Sequence, residues 1–369
     1  MIPVNRPLLD GNEQKYLTEC IRTGWISSEG PFVKLLEEKF SRFMGCSHGV
    51  AVCNGSLAID LALAALRVGS GDEVILPTFT IISSASAVVR AGAVPVVVDC
   101  TADTWNMDPA LIKEKITTRT KAIMPVHIYG LPVDMDPLLE IAKQHDLFVV
   151  EDAAEQHGQS YNGKPVGSLG DIATVSFYPN KHVTTGEGGM VLTNNAELAE
   201  RCRRLRNLAF DDERRYIHDE LGWNLRMSNM QAAVGVAQLE RVEEFLIKKR
   251  QIGTWYQHHF HDHPLLQLPL AHAPYADNLY WVFGVVLNDR VPFDAKEAIA
   301  RLRAKGVDAR HFFWPMHEQP VFRKLGLFAN EHCPVAERIS RRGFFLPSGI
   351  GTTRDEVDKS AAALKEILQ

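Results

Sequence analysis

The chain has 369 residues, 46% hydrophobic and 23% charged, with a formal net charge of -5. That length accommodates one large domain with a real core and a smaller second one. The acidic balance excludes a protein built to hold nucleic acid or an anionic membrane surface.

The N-terminal MIPVNRPLLDGNEQ has no basic stretch followed by an apolar one, so no signal peptide is expected. Six scattered cysteines form no CxxC pair, which points to reduced thiols and a cytoplasmic location. The apolar spacing of SLAIDLALAALRVG (56–69) predicts a helix. DEVILPTF reads as a strand entering a turn, and ASAVVRAGAVPVVVD as helix, turn and strand. That last run, the most apolar, contains Arg90 and Pro95 and is too short to cross a bilayer. KAIMPVHIYG predicts a strand, MDPLLEIAKQHD a helix, and LFVVEDAA a strand ending in two acids. GDIATVSFYP is a further strand, with GGMVLTNN as its hairpin neighbour. Strands apolar on both faces and alternating with helices predict a mostly parallel sheet covered on both sides. From about Ser228 one long amphipathic helical run, 229–262, is expected. NLYWVFGVVL and DAKEAIARLRAKGV then form a strand and a helix of a smaller α/β unit. The domain boundary is expected near residue 235, giving a large domain 1–235 and a small domain 236–369.

Three features carry chemistry. SFYPNKHVTTGEGGM places a single lysine, Lys181, in a glycine-rich turn after a strand. A lysine after a strand is ordinarily a solvated surface residue; this one sits where the chain has been cleared for something to approach. In VVEDAAEQHG a strand runs into Glu151 and Asp152 at the sheet's C-terminal edge, where open α/β sheets bind ligands. An acid there could hold magnesium or a protonated ring nitrogen. In VCNGSLAIDL, Asn54, Gly55 and Ser56 stand at a helix start that favours a bound phosphate, with Ser56 able to cap. No Walker loop, GxGxxG or HExxH is present. Lysine for an aldehyde, carboxylate for a pyridine nitrogen and helix start for a phosphate together fit pyridoxal 5'-phosphate (PLP). A cationic, partly desolvated surrounding is expected to lower the lysine's pKa.

From end to end the chain also resembles the DegT/DnrJ/EryC1/StrS sugar aminotransferases, a PLP fold-type I family with a mostly parallel large domain and a smaller C-terminal α/β domain. The matching blocks include GWISSEGPFVKLLEEKF, CNGSLAIDLAL, GDEVILPTFT, PVHIYGLPVDMDPL, VVEDAAEQHG, GDIATVSFYPNKHVTTGEGGMV, NLRMSNMQAAVGVAQL and FFWPMHEQPVF. The resemblance implies Lys181 as the covalent attachment point and proton carrier, and Asp152 as partner of the pyridine nitrogen. It implies Gly55, Ser56 and Ser176 around the phosphate and Glu155 on the ring hydroxyl side. Asn224 would reach the phosphate from a neighbouring subunit, so a homodimer with shared sites is implied. Family dehydratases carry histidine at the lysine position; with Lys181 present, transamination is favoured.

Within the family, WISSEG, DTWNM, SFYPNKHVTTGEGG and FFWPMHEQPVF are most similar to the GDP-perosamine synthase branch, whose products serve O-antigen and other surface polysaccharides. The implied reaction moves an amino group from L-glutamate to C4 of GDP-4-keto-6-deoxy-D-mannose. A UDP- or dTDP-linked ketosugar, or dehydration on the same scaffold, is the alternative. Trp25, Ser27, His127, His182, Arg310 and His317 are the candidate substrate contacts. Two positions depart from the family pattern. Ile81 stands where many relatives place an aromatic, so ring stacking is aliphatic or comes from Phe79. Arg310-His311 replaces Arg-Pro, which makes His311 a further candidate contact. His259 and His263 have helical ligand spacing but no complementary donors, so no metal is expected.

Overall fold

The structure, a computed structural model, describes residues 1–211 and 213–369. Seven strands make the large sheet: β1 His48–Val52, β2 Glu73–Pro77, β3 Val94–Val98, β4 Thr120–Ile123, β5 Phe148–Asp152, β6 Ile172–Ser176 and β7 Gly189–Thr193. Their spatial order is β1-β7-β6-β5-β4-β2-β3. Pairing is parallel from β6 through β3, and β7 alone runs against its two neighbours. GGMVLTNN is thus the expected antiparallel neighbour of GDIATVSFYP, and the mostly parallel sheet is as the apolar strands predict.

Helix Gly55–Ala65 buries residues on nearly all sides, including Ile59, Leu61 and Leu63. It lies between the sheet and helices Ile82–Arg90 and Ala196–Arg206, which explains its largely apolar sequence, its one charged residue, Asp60, pairing with Arg90 at 2.7 Å. A four-stranded antiparallel sheet follows, in the order Leu266–Gln267, Phe283–Leu287, Gly343–Leu346, Arg310–His311. Helices Val242–Phe260, Ala295–Ala304 and Arg354–Ile367 share a core with it through Tyr256, Phe260, Phe283, Leu302 and Leu364. An aromatic cluster of Phe79, Trp105, Tyr129, Trp281 and Phe312 joins the two sheets.

The run 229–262 is not one helix. It divides into Asn229–Leu239, packed on Glu13–Thr23 and Pro31–Phe43, and Val242–Phe260, which enters the C-terminal core. No glycine or proline marks the joint. It is held from a distance: Asn12 Nδ2 and Tyr16 Oη donate to Glu240 at 2.7 and 2.6 Å, and Arg241 pairs with Asp10 and Glu244. Among the described residues no helix is long and apolar enough to cross a membrane.

Candidate active site

The C-terminal ends of β5 and β6, the loop after β2 and the start of helix Gly55–Ala65 converge on a cavity of about 280 Å³. Asn54, Gly55 and Ser56 come from the helix start, and Thr80, Ile81 and Ser83 from the loop after β2. Asp152 ends β5 and Glu155 follows it, while Ser176 ends β6 and Tyr178, Asn180 and Lys181 follow it. The C-terminal unit adds Trp281 and Phe313.

Close packing shapes the helix start. Asn54 Oδ1 accepts the Leu57 amide at 3.0 Å, so Asn54 is the cap and the expectation for Ser56 is corrected. Ser56 Oγ instead meets Ser83 Oγ at 2.8 Å beside the cavity. A Cβ on Gly55 would stand 2.7 Å from Ser176 Cβ, and one on Gly189 would stand 2.6 Å from the Asn54 carbonyl oxygen. Backbone therefore approaches backbone here, and first-turn amides have no intrahelical acceptor.

Lys181 is 9% exposed at its side chain; its Nζ lies 3.7 Å from Glu155 Oε1 and 3.8 Å from the Trp281 ring centre. Burial lowers the amine's pKa, and the Glu155 and Asp152 carboxylates oppose that shift. The expected cationic surrounding is absent: desolvation depresses this lysine, and its charged neighbours are acids. Burial raises Glu155 to about 7 against the pull of Lys181 and the Tyr129 amide, which donates to Glu155 Oε2 at 2.8 Å. Burial also raises Asp152, opposed first by the Ala154 amide at 3.2 Å, then by Lys181 and by the Ser84 hydroxyl at 3.1 Å. The cavity thus holds an amine that gives up its proton readily, a buried carboxyl and an anion-favouring helix start.

Lys181, Gly55, Ser56, Ile81, Asp152, Glu155 and Ser176 come together as expected from their order along the chain. Phe79 does not join them; it is fully buried in the aromatic cluster, leaving Ile81 at the cavity. Three histidines named as substrate contacts face inward. His127 Nδ1 accepts the Val133 amide at 3.1 Å and Nε2 lies 3.3 Å from Glu151 Oε2. His317 joins Thr78 Oγ1 at 2.7 Å and Glu337 Oε1 at 3.1 Å. His182 is wholly buried 5.8 Å from the His157 ring, and burial lowers its pKa well below the usual range. A cavity-facing lysine followed by a core-facing histidine accounts for the adjacent pair.

Trp25, Ser27, Asn224, Arg310 and His311 are exposed and lie outside the cavity of their own chain. Trp25 and Ser27 carbonyls accept from Asn229 at 2.7 and 3.0 Å, and Asn224 Oδ1 accepts from Arg226 Nε at 2.9 Å. His259 is bonded to Asp358 Oδ1 at 2.7 Å rather than to His263. Ser83, Ser84, Tyr178, Asn180, Trp281 and Phe313 were not read from the sequence. Tyr178 and Asn180 flank the lysine motif, whereas Trp281 is a hundred residues away with no motif around it.

The DegT/DnrJ/EryC1/StrS aminotransferase family model matches residues 7–365. The chain belongs to that family. It is 43% identical to a GDP-perosamine synthase of Caulobacter vibrioides, covering 100% of this chain and 98% of that protein. It is 38% identical to the GDP-perosamine synthase of Vibrio cholerae, covering 99% and 98%. The crystal structure of DesV from S. venezuelae superposes with a TM-score of 0.89 at 34% identity, covering 96% of this chain and 94% of that one.

The protein is a sugar aminotransferase, and its cofactor is PLP. The residues present fit that group. The helix start at Asn54, Gly55 and Ser56 lines the cavity together with Ser176, and Gly55 packs so closely on Ser176 that a Cβ there would stand 2.7 Å from its Cβ. Asp152 is buried at a strand end and Lys181 Nζ opens onto the same cavity.

Proposed function

We propose that this protein transfers an amino group from L-glutamate to C4 of a nucleotide-linked 4-keto-6-deoxysugar, GDP-4-keto-6-deoxy-D-mannose, giving GDP-perosamine for O-antigen or another surface polysaccharide. The observation that carries the substrate is the full-length likeness to two GDP-perosamine synthases at 43% and 38% identity. In this reading it works in the cytoplasm as a homodimer with shared sites.

When bound, the cofactor supplies an aldehyde carbon to receive the amine and a pyridinium ring to accept the electron pair released at the substrate carbon. Lys181 Nζ holds the cofactor covalently between turnovers and then carries the proton to and from the reacting carbon. Burial favours the neutral form of this amine, the form that can accept a proton, more than an exposed lysine would. Asp152 keeps the ring nitrogen protonated, with Ser84 and the Ala154 amide fixing its carboxylate. Gly55, Ser56 and Ser176 would hold the phosphate, Ile81 would line the place of the ring, and Glu155 would serve its hydroxyl side. Asn224, exposed and outside its own cavity, completes the phosphate site of the neighbouring subunit.

The test is mass spectrometry of products from purified protein, L-glutamate, PLP and GDP-, UDP- or dTDP-linked 4-keto-6-deoxysugars. The GDP sugar is expected to gain an amino group while 2-oxoglutarate appears. Amination confined to a UDP or dTDP sugar would overturn the substrate assignment, and loss of water from the sugar without gain of nitrogen would overturn the transfer itself.

A further inference from the structure

Trp281 belongs to the C-terminal unit, yet its ring faces the cavity. The centre of that ring lies 3.8 Å from Lys181 Nζ, and Glu155 Oε1 stands 3.7 Å from the same atom, at ion-pair distance. The ammonium therefore has an aromatic face and the Glu155 carboxylate beside it, with the Asp152 carboxylate also favouring its charge. An ammonium that close to an indole face is attracted by the ring's quadrupole, and more strongly where water is excluded.

Trp281 is held both at its ring and at its backbone. Its Nε1 donates to the Asn180 carbonyl at 2.9 Å, the peptide immediately before Lys181. Its own carbonyl accepts from the buried Lys249 ammonium at 2.7 Å. Gly130, at φ +108°, lets the chain pass so closely that a Cβ there would lie 2.6 Å from the Trp281 amide nitrogen. The neighbouring Tyr129 packs on the indole at 5.9 Å between ring centres and gives its amide to Glu155. One short segment, Tyr129–Gly130, thereby sets both groups that flank the lysine.

We propose that Trp281 is a positioning residue for the Lys181 amine: its indole face seats the amine beside Glu155 and ties the lysine turn to the C-terminal unit. The inference rests on Lys181 being the working amine of the proposed function, and it adds a group on which that amine depends.

The test titrates the amine directly. In cofactor-free protein, the pH dependence of reductive methylation at Lys181 is followed by peptide mass spectrometry for wild type, Trp281→Phe and Trp281→Leu. Removing the aromatic face destabilises the charged form, so Trp281→Leu is expected to lower the lysine's apparent pKa by about one unit. Trp281→Phe, which keeps a ring but loses the bond to Asn180, is expected to fall between. Should Trp281→Leu fail to fold, fluorinated tryptophans placed at 281 weaken the ring's negative face without changing its shape; each added fluorine is expected to lower the pKa further. An unchanged titration across the folded Trp281→Leu protein or the fluorinated series would overturn the proposal. Failure of the aminotransferase reading would appear differently, as absence of any PLP adduct on Lys181.

Discussion

On the proposed function, Asp152 acts through its charge. Its carboxyl is held by Ser84 and the Ala154 amide, so replacement by the isosteric amide keeps the shape and removes the charge facing the ring. Asp152→Asn is expected to slow amino transfer by roughly 10²–10³-fold, the range for losing one preorganised electrostatic partner, with little change in thermal stability. Steady-state kinetics beside a melting curve checks this; a rate within a few-fold of wild type would contradict it. At this scale the sequence was legible where a function needs neighbours in a fixed chain order, as with Gly55, Asp152, Ser176 and Lys181. For His127, His182 and His317 it named a neighbourhood without an orientation. Their blocks lie near the site, but a block does not say which way a ring points, and all three are buried in the core or bonded to internal partners. Trp281 was invisible because only tertiary folding brings it to the lysine.

Elements were readable from periodicity wherever the core imposes it, as in the strands of the large sheet. Two kinds of feature escaped. The hairpin Ser160–Tyr161 to Lys164–Pro165 turns through Asn162 and Gly163, both at positive φ; that Asn-Gly pair was an available signal. The break between helices Asn229–Leu239 and Val242–Phe260 had none, since its anchors Asp10, Asn12 and Tyr16 lie far upstream. Helix Val242–Phe260 also buries Lys249, whose ammonium donates to the Trp281 and Ser348 carbonyls and has burial pushing its pKa down to about 7 from 10.5. The unfolded chain therefore binds this proton more tightly, and stability is lost as pH falls from about 10 to 7. Lys249→Met removes that titration. Its stability relative to wild type is expected to rise as pH is lowered through this window, by up to about 1.4 kcal/mol per pH unit, and to level off below pH 7. Denaturant unfolding of both proteins across the range measures this; a pH-independent difference would contradict a buried, depressed lysine.

For the whole molecule, the exposed position of Asn224 leaves the cavity of one chain without a residue that the proposed function assigns to it, and the candidate contacts Trp25 and Ser27 also lie outside it. Supply by a second copy makes a sharp prediction. Lys181→Ala and Asn224→Ala proteins, each inactive or nearly so alone, are expected to recover about a quarter of wild-type activity after equimolar mixing and subunit exchange, because half the dimers then carry one intact site. No recovery despite demonstrated exchange would contradict shared sites. The family and the mostly parallel sheet were legible at this scale because many blocks must recur in order along the whole chain. The central claim is that the amine at position 181 holds PLP. It is tested most directly by adding PLP to the purified protein, reducing with borohydride and mapping the modified peptide by mass spectrometry. A pyridoxyl group on Lys181, absent from Lys181→Ala, is the expected result; an unmodified Lys181, or the group on another lysine, would contradict the account.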